Sequence, residues 1–143
     1  MQDNTIKGIL TELRCQQDFI KRGFLISQPI TQDSKYDYIV DIDKKLYRIQ
    51  CKSSSISVNN DYIYMKTRTT NIRTNKDTYY TKDDIDYFYT CYNEKSYLIP
   101  VELAGRGETR LRFASSQPNN PNIRWASKYE LDVVLKRIKE GKE

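Results

Sequence analysis

The sequence contains no histidine, and this absence excludes several kinds of active site. A Ser-His-Asp or Cys-His nucleophile, an H-E-x-x-H metalloprotease and any histidine-dependent nuclease all require an imidazole. The three cysteines are odd in number and widely spaced, which argues against a disulfide framework and against zinc. Any catalysis must therefore use carboxylates, lysine or a hard metal ion, and the free thiols predict a reducing, cytoplasmic location.

Glycine is scarce and long apolar runs are missing. The single Gly-x-Gly, at Gly105 and Gly107, lacks the lysine of a P-loop and the third glycine of a dinucleotide-binding loop, so we expect no nucleotide cofactor. No segment approaches the ~18 apolar residues that span a bilayer, and no charged-then-apolar leader opens the chain, so we expect no membrane association. The length and the aromatic content predict a single domain over residues 1–143.

The net charge of +5 is unevenly distributed. Residues 61–82 hold five Lys or Arg against two Asp, and residues 104–128 hold five against one Glu, whereas residues 83–103 hold five acids against one Lys. Separate basic patches are typical of a protein that binds a phosphate backbone, although a solvated lysine-rich surface gives the same pattern. The cations predicted to contact nucleic acid are Lys66, Arg68, Arg73, Lys76, Lys82, Arg106, Arg110, Arg112, Arg124 and Lys128.

The stretch from Tyr36 to Ser53 alternates apolar and polar residues on both sides of an Asp-Lys-Lys break, which predicts a β-hairpin. Successive strand residues point to opposite sides of a sheet, so Arg48, Gln50 and Lys52 share one face of the second strand. The other face carries Tyr47, Ile49 and Cys51. The hairpin therefore projects an amide and an ammonium side by side.

The first strand of this hairpin adds a carboxylate to the same face. An even-numbered loop such as residues 43–46 would set Asp37 opposite Lys52 and Asp41 opposite Arg48. An acid, an amide and an ammonium would then converge at the end of the hairpin.

This constellation, Asp37 followed after twelve residues by Gln50-x-Lys52, resembles the active-site motif of the PD-(D/E)XK nuclease superfamily, written D, spacer, (D/E/Q)-x-K. The segments TIKGILTELRCQQDFIKRGFLISQP and DDIDYFYTCYNEKSYLIPVE are also similar to the bacterial branch of this superfamily, which includes small endonucleases encoded within group I introns. The resemblance thus covers most of the chain.

The first helix is predicted from Asn4 or Thr5 to about Arg22, with Gly23 ending it. Glu12 lies at the edge of its apolar face, where an acid commonly faces water. The resemblance instead implies that Glu12 contributes to a metal site, either directly or behind the direct ligands. The apolar face is predicted to consist of Ile6, Ile9, Leu10, Leu13, Gln17 and Ile20.

The remaining elements follow from short-range patterns. We expect strands at 24–30 and 62–69, a polar loop at 71–82, a second hairpin formed by 85–92 and 96–101, and a flexible basic arm at 105–121 that contains a short strand at 111–113. Ser127 and Glu130 fit a capping box for a last helix. Its core positions are predicted to be Leu131, Val134, Leu135 and Ile138.

The resemblance implies an α/β (α+β) fold with a restriction-endonuclease-like core, in which helices flank a central mixed β-sheet. It further implies that Asp37, Gln50, the main-chain carbonyl of Cys51 and Glu12 hold Mg²⁺, for which Mn²⁺ can substitute, and that Lys52 lies by the attacking water. Gln50 departs from the commoner acidic form of the motif. A neutral amide gives the ion one less negative charge, which weakens metal binding unless Glu12 or the DNA phosphate compensates.

Three functions remain open at this point. The long polar loops favour an endonuclease of the intron-homing kind that cuts double-stranded DNA at a specific sequence. A structure-selective resolvase of Holliday junctions would need mainly a surface shaped to the backbone. The third possibility is a DNA-binding module with a decayed nuclease site. Because each chain has one site, cutting two strands implies a homo-oligomer, a dimer or a tetramer.

Overall fold

A computed structural model describes residues 1–142, in which two α-helices and ten β-strands are present. Short 3-10 turns occupy Val101–Leu103 and Ala126–Lys128. In chain order the elements are α1 (Asp3–Lys21), β1 (Leu25–Ser27), β2 (Tyr38–Ile42), β3 (Lys45–Cys51), β4 (Ser55–Ile56), β5 (Tyr62–Lys66), β6 (Arg68–Asn71), β7 (Lys76–Tyr79), β8 (Tyr87–Tyr92), β9 (Lys95–Pro100), β10 (Glu108–Arg112) and α2 (Leu131–Lys139).

The central sheet has five strands in the order β1-β2-β3-β8-β9. It is mixed, because β3 and β8 run parallel while the other neighbours are antiparallel. Both helices pack on one face of this sheet. The other face packs against a three-stranded antiparallel sheet of order β10-β5-β4. The predicted central mixed sheet with helices is confirmed, with the helices on one side and a second sheet on the other.

The core between the helices and the central sheet confirms the predicted inner face of α2. Its four positions, Leu131, Val134, Leu135 and Ile138, are all buried. The predicted capping box is wrong, because α2 begins at Leu131 and Ser127 lies in the preceding 3-10 turn. Burial of the apolar positions therefore fixes this helix without a side-chain cap.

The apolar face of α1 is exposed, which contradicts the predicted packing of this helix. Leu13 is 53% exposed and Ile20 is 58% exposed, whereas the side chains that enter the core are Thr11, Cys15 and Phe19. These three residues are spaced one helical turn apart, so a narrow stripe contacts the sheet. Apolar periodicity identified the helix correctly but did not identify the surface that covers its apolar side.

The hairpin of β2 and β3 closes through two residues, Asp43 and Lys44, whose φ angles of 54° and 69° both lie in the left-handed region. Two-residue loops of this kind match the right-handed twist of the strands. Ile42 therefore pairs with Lys45, and the register extends to bring Asp37 beside Gln50 instead of Lys52.

The same register pairs Asp41 with Leu46, so the predicted pairing of Asp41 with Arg48 is also wrong. The predicted loop was two residues too long. A slip of two residues keeps every side chain on its predicted face, which is why the polar cluster survives.

Three predicted segments are organised differently in the structure. The strand predicted at 62–69 is divided into β5 and β6, the loop predicted at 71–82 contains β7, and the arm predicted at 105–121 contains β10 over a longer span than expected. The division occurs at Thr67, which is buried and whose hydroxyl donates to the Gly105 carbonyl at 2.6 Å. Because β6 and β7 are short and polar, they lack the apolar alternation that reveals a strand.

Strand β10 pairs with β5 along its whole length and places Arg110 and Arg112 on one side, as predicted. Strands β1 and β8 lie within their predicted segments, and β9 begins one residue earlier than predicted, at Lys95. All three cysteines are free. Neither of the two helices within residues 1–142 is long and apolar enough to cross a bilayer.

Candidate active site

Three of the predicted site residues meet in a cleft at the end of the hairpin, where β2 begins and β3 ends, whereas Glu12 and Cys51 are not among the residues that line it. Asp37, Gln50 and Lys52 line this cleft together. The opposite wall comes from the ribbon of β6 and β7 and the residue that follows it. The remaining lining residues are Ser34, Lys35, Thr69, Thr78, Tyr79 and Tyr80.

Asp37 is partly buried and held by the strand beside it. The Cys51 amide donates to Oδ2 of Asp37 at 2.8 Å, and the Asp37 amide donates to the Ile49 carbonyl at 2.9 Å. Burial raises the pKa of Asp37, although the Cys51 hydrogen bond and the charge of Lys52 oppose this shift. The carboxylate is therefore only partly compensated, and a cation in the cleft would stabilise its charged form.

Gln50 lies directly beside this acid. With its amide nitrogen turned towards Asp37, the side chain donates to Oδ2 of Asp37 at 3.2 Å and to the Lys35 carbonyl at 2.7 Å. The side-chain carbonyl oxygen of Gln50 takes no part in these two bonds. A neutral amide at this position thus adds no charge repulsion to Asp37, which a second carboxylate would add.

Lys52 is the last of the three residues along the hairpin. Its main-chain amide donates to the Tyr89 carbonyl at 2.9 Å, which joins the end of β3 to β8. Its ammonium lies over the ring of Tyr80, 5.0 Å from the centroid, a distance suited to a cation–π interaction. The ring of Tyr80 packs edge-on against Phe88, and its hydroxyl lies 2.9 Å from that of Thr69.

Tyr80 lies in the segment 71–82, which the sequence predicts to be a polar loop. Its contact with Lys52 was missed, because no spacing rule links the two positions and the contact arises only when β8 pairs with β3. The structure thus adds an aromatic support for the ammonium.

Glu12 reaches the site from α1. Burial raises the pKa of Glu12, and the negative charge of Asp37 raises it further. Hydrogen bonds from residues near Glu12 join α1 to the end of β3 and the start of β2. Thr11 shares a hydrogen bond of 3.0 Å with Ser53, and Gln16 donates to the Tyr38 hydroxyl at 2.7 Å. The structure therefore brings Glu12 into the electrostatic field of Asp37, and its role as a metal ligand stays a prediction.

The donor groups at the site are all oxygens. Because the N–H and C=O of a strand residue point towards the same neighbour, the Cys51 carbonyl lies on the Asp37 side. Burial raises the pKa of the Cys51 thiol, which stays protonated and faces the core. Two carboxylates, an amide oxygen and a main-chain carbonyl fit a hard divalent ion such as Mg²⁺.

This donor set differs from a conventional acidic cluster. Within residues 1–142, no group of three or more His, Cys, Asp or Glu is arranged to hold a metal ion. The candidate site offers only the two acids Asp37 and Glu12, so neutral donors and a phosphate would have to complete the coordination of an ion.

The predicted DNA-binding cations lie outside the residues that line the cleft. Several are already engaged: Lys82 pairs with Glu102 at 3.4 Å, Arg124 donates to the Leu103 carbonyl at 2.7 Å, and Arg110 pairs with Glu108 at 2.9 Å. The guanidinium groups of Arg110 and Arg112 also stack on Tyr62, and that of Arg106 lies over Tyr79. Lys66, Arg73, Lys76 and Lys128 are exposed. Their contacts with DNA stay predictions.

Comparison with known proteins identifies the family. The fold is similar to that in "The structure of a bacterial homing endonuclease: I-Ssp6803I", with 22% sequence identity, a TM-score of 0.76 and 99% of each chain covered. The crystal structure of MepB covers 83% of this chain and 95% of its own at 16% identity, but its TM-score of 0.40 is too low to indicate a shared fold. No curated protein matches the sequence. The family model for PD-(D/E)XK endonucleases matches residues 2–132, and the chain belongs to that family.

Proposed function

We propose that the protein is a metal-dependent DNA endonuclease that hydrolyses phosphodiester bonds at a specific double-stranded site, as a homing endonuclease does. The observation that carries this proposal is the meeting of Asp37, Gln50 and Lys52 in one cleft, with Asp37 close enough to Glu12 to raise the pKa of that acid. The whole-length similarity of the fold to a bacterial homing endonuclease supports the more specific part of the proposal.

The chemistry assigned to the cleft is attack by water on phosphorus with departure of the sugar oxygen. Mg²⁺, or Mn²⁺ in its place, would be held by Asp37, Glu12, the Gln50 side-chain oxygen and the Cys51 carbonyl, and would polarise the phosphate as a Lewis acid. Lys52 stands by the attacking water and stabilises the negative charge that develops on the phosphate oxygens. The ring of Tyr80 positions the Lys52 ammonium through the cation–π interaction.

Cleavage of a plasmid library with randomised inserts tests this proposal. We expect the wild type to nick and linearise a subset of plasmids in Mg²⁺ and to leave all of them intact in EDTA. The Lys52→Ala variant should lose cleavage by roughly a hundredfold or more, because it lacks the charge that stabilises the transition state. Lys136→Ala, on the exposed side of α2, is the matched control and should cleave normally.

The outcomes separate the candidate functions. Sequencing of the linear products should return a common site if the enzyme is sequence-specific. Preferential cutting of a four-way junction over every duplex in the library would contradict the homing assignment and identify a resolvase. Binding of DNA without any cleavage in Mg²⁺ or Mn²⁺ would overturn the enzyme assignment and leave a DNA-binding module with a decayed site.

We further propose that the protein acts as a homo-oligomer, because one cleft per chain cannot cut both strands from a single position. The exposed side of α1 supports this proposal. Ile6, Leu13 and Ile20 recur at intervals of seven residues, with Leu10 between them, which is the spacing of two helices that pack along a common seam. A second copy of α1 is the partner that matches such a seam.

Sedimentation of two single variants tests this assembly. Leu13→Glu places a charge at the centre of the seam and should dissociate the oligomer, whereas Val133→Glu makes the same change on the partly exposed side of α2 and should not. A wild-type protein that remains monomeric at the concentrations used for cleavage would contradict the proposal.

A further inference from the structure

The ribbon formed by β6 and β7 stands beside the cleft, and none of its eight strand residues is buried. Its register pairs Thr69 with Thr78 and Asn71 with Lys76. Directly paired residues share a face, so these four side chains form one side of the ribbon, which we name the front face. Because Thr69 and Thr78 line the cleft, the front face continues the surface on which the substrate would lie.

The opposite face is formed by Arg68, Thr70, Asp77 and Tyr79, of which Tyr79 also lines the cleft, and three of these residues are held by polar contacts within the protein. Arg68 donates to the Gly107 carbonyl at 2.8 Å and forms an ion pair of 3.7 Å with Asp77, which also accepts a bond of 2.6 Å from Thr70. Gly107 allows this approach, since a Cβ there would come within 3.1 Å of the Arg68 guanidinium. Arg68 is therefore a positioning residue for the ribbon, and its charge is paired with that of Asp77.

The front face leaves one cation without a partner. Lys76 is exposed, and it forms no hydrogen bond or ion pair within residues 1–142. Asn71 is less available, because its Oδ1 accepts from the amides of Arg73 at 2.9 Å and Thr74 at 3.3 Å and so stabilises the turn of the ribbon. Lys76 is thus the residue of the front face with the greatest freedom to donate to a ligand.

We propose that this ribbon enters the major groove next to the cleavage position and that Lys76 reads a guanine there, an inference that rests on the proposed endonuclease function. The major groove, about 12 Å wide, admits a two-stranded ribbon, and a lysine can donate to both O6 and N7 of guanine. Thr78 lies nearer the cleft on the same face, and its methyl group is a suitable partner for a thymine methyl there.

A ribbon that lies along the groove also sets where the guanine lies. Lys76 and Thr78 are two residues apart on one strand, which is about 7 Å in an extended chain. Base pairs rise by about 3.4 Å, so Lys76 meets bases about two pairs farther from the cut than those that Thr78 meets. The guanine preference should therefore occur at a set distance from the cleavage position.

Base selection by binding tests this proposal separately from cleavage. Wild type, Lys76→Ala and Lys66→Ala would each select duplexes from a randomised library in Ca²⁺, which takes the same kind of oxygen ligands as Mg²⁺. Lys66 is an exposed lysine on β5, outside the cleft and the ribbon, so its variant removes the same charge without removing the proposed base contact.

We expect Lys76→Ala to lose a guanine preference of roughly five- to 150-fold at one position of the site, while the preferences at other positions stay as in the wild type. Lys66→Ala should keep the full profile and at most weaken binding evenly, with a smaller salt dependence, as a phosphate contact does. Lys76→Arg should retain the guanine preference.

An unchanged base profile in Lys76→Ala would overturn the ribbon proposal even if the wild type cleaves DNA. A wild-type profile without any preference would also overturn it. If the wild type selects a site and Lys76→Ala loses one guanine from it, but no variant cleaves in Mg²⁺, the ribbon proposal stands and the endonuclease function fails.

Discussion

The two hairpins that face the cleft are stabilised in different ways, one by burial of apolar side chains and the other by polar contacts. The hairpin of β2 and β3 places one side of both strands in the core, where Tyr38, Val40, Tyr47 and Ile49 are all buried. A slip of one residue would expose that whole side, so burial fixes the register. The ribbon of β6 and β7 buries none of its strand residues and depends on polar contacts at one face.

This difference corresponds to the two tasks we assign to the hairpins. Catalytic groups must be held within about 0.5 Å of their productive geometry, which requires rigid, packed elements. A surface that enters a DNA groove can adjust its side chains as it binds. The molecule thus places Asp37, Gln50 and Lys52 on the packed hairpin and the proposed base-reading residues on the exposed one.

The largest expected effect comes from removing the charge of Asp37, at the start of the hairpin of β2 and β3. Asp37→Asn keeps the shape of the side chain but removes the carboxylate that we assign to the metal, so cleavage should fall by about a thousandfold or more. Asp77→Asn makes the same change on the ribbon and should cost less than about tenfold. Single-turnover cleavage rates measure both, and equal losses would contradict the division of tasks between the hairpins.

Stability should distinguish the hairpins in the same way. Ile49 is fully buried in β3, whereas Ile72, at the turn of the ribbon, is 98% exposed. We expect Ile49→Ala to lower the free energy of unfolding by about 2–4 kcal/mol, because it leaves a cavity in the core. Ile72→Ala should change it by less than about 0.5 kcal/mol. Urea unfolding of the two variants checks this, and a large effect at Ile72 would indicate that the ribbon turn is packed.

The packed hairpin was predictable from the sequence because burial imposes alternation on its residues. The face shared by Gln50 and Lys52 follows from parity alone, and parity survives an error of two residues in the loop. The turn at Asp43 and Lys44 was harder to predict, because it lacks the glycine that usually adopts positive φ. The ribbon could not be predicted by the same rule, since polar contacts across the chain, such as that of Arg68 with Gly107, leave no periodic signal.

The packing of α1 shows a second limit of sequence patterns. The core-facing stripe contains Thr11 and Cys15, which carry little hydrophobic signal, and only Phe19 marks it clearly. The stronger apolar pattern belongs to the exposed side. Apolar periodicity indicates that one side of a helix packs against another surface. It does not indicate whether that surface belongs to the same chain or to a second copy.

Tyr80 is the point at which the two hairpins meet, and its replacement should give an intermediate effect. Its ring lies under the Lys52 ammonium, and its hydroxyl contacts Thr69 of the ribbon. Tyr80→Leu removes the cation–π interaction, which is worth about 0.5–1 kcal/mol at a partly exposed site, so the cleavage rate should fall about two- to fivefold. The single-turnover rate at saturating DNA measures this effect without a contribution from binding.

Tyr80→Phe is the control for this prediction, because it keeps the ring and removes only the hydroxyl. We expect its cleavage rate to stay near that of the wild type. A loss in Tyr80→Phe as large as that in Tyr80→Leu would show that the bond to Thr69, and not the support of Lys52, is what matters.

The smallest effect is expected at the turn that joins the ribbon to the central sheet. The Thr81 amide donates to Asp84 at 3.0 Å, and Lys35 pairs with the same carboxylate at 3.2 Å, and these contacts hold the pKa of Asp84 below its usual value. A carboxyl group whose pKa falls on folding contributes stability above its unfolded pKa of about 3.9, and this contribution is lost as the pH falls through the folded value. Asp84→Asn should therefore reduce the free energy of unfolding by about 0.5 kcal/mol at pH 7, and the difference from the wild type should shrink below about pH 4.

Asp83→Asn, at the neighbouring position, is the matched control. Urea unfolding at pH 7 and pH 3 measures both variants, and an equal and pH-independent loss in both would show that the turn does not depend on the Asp84 charge.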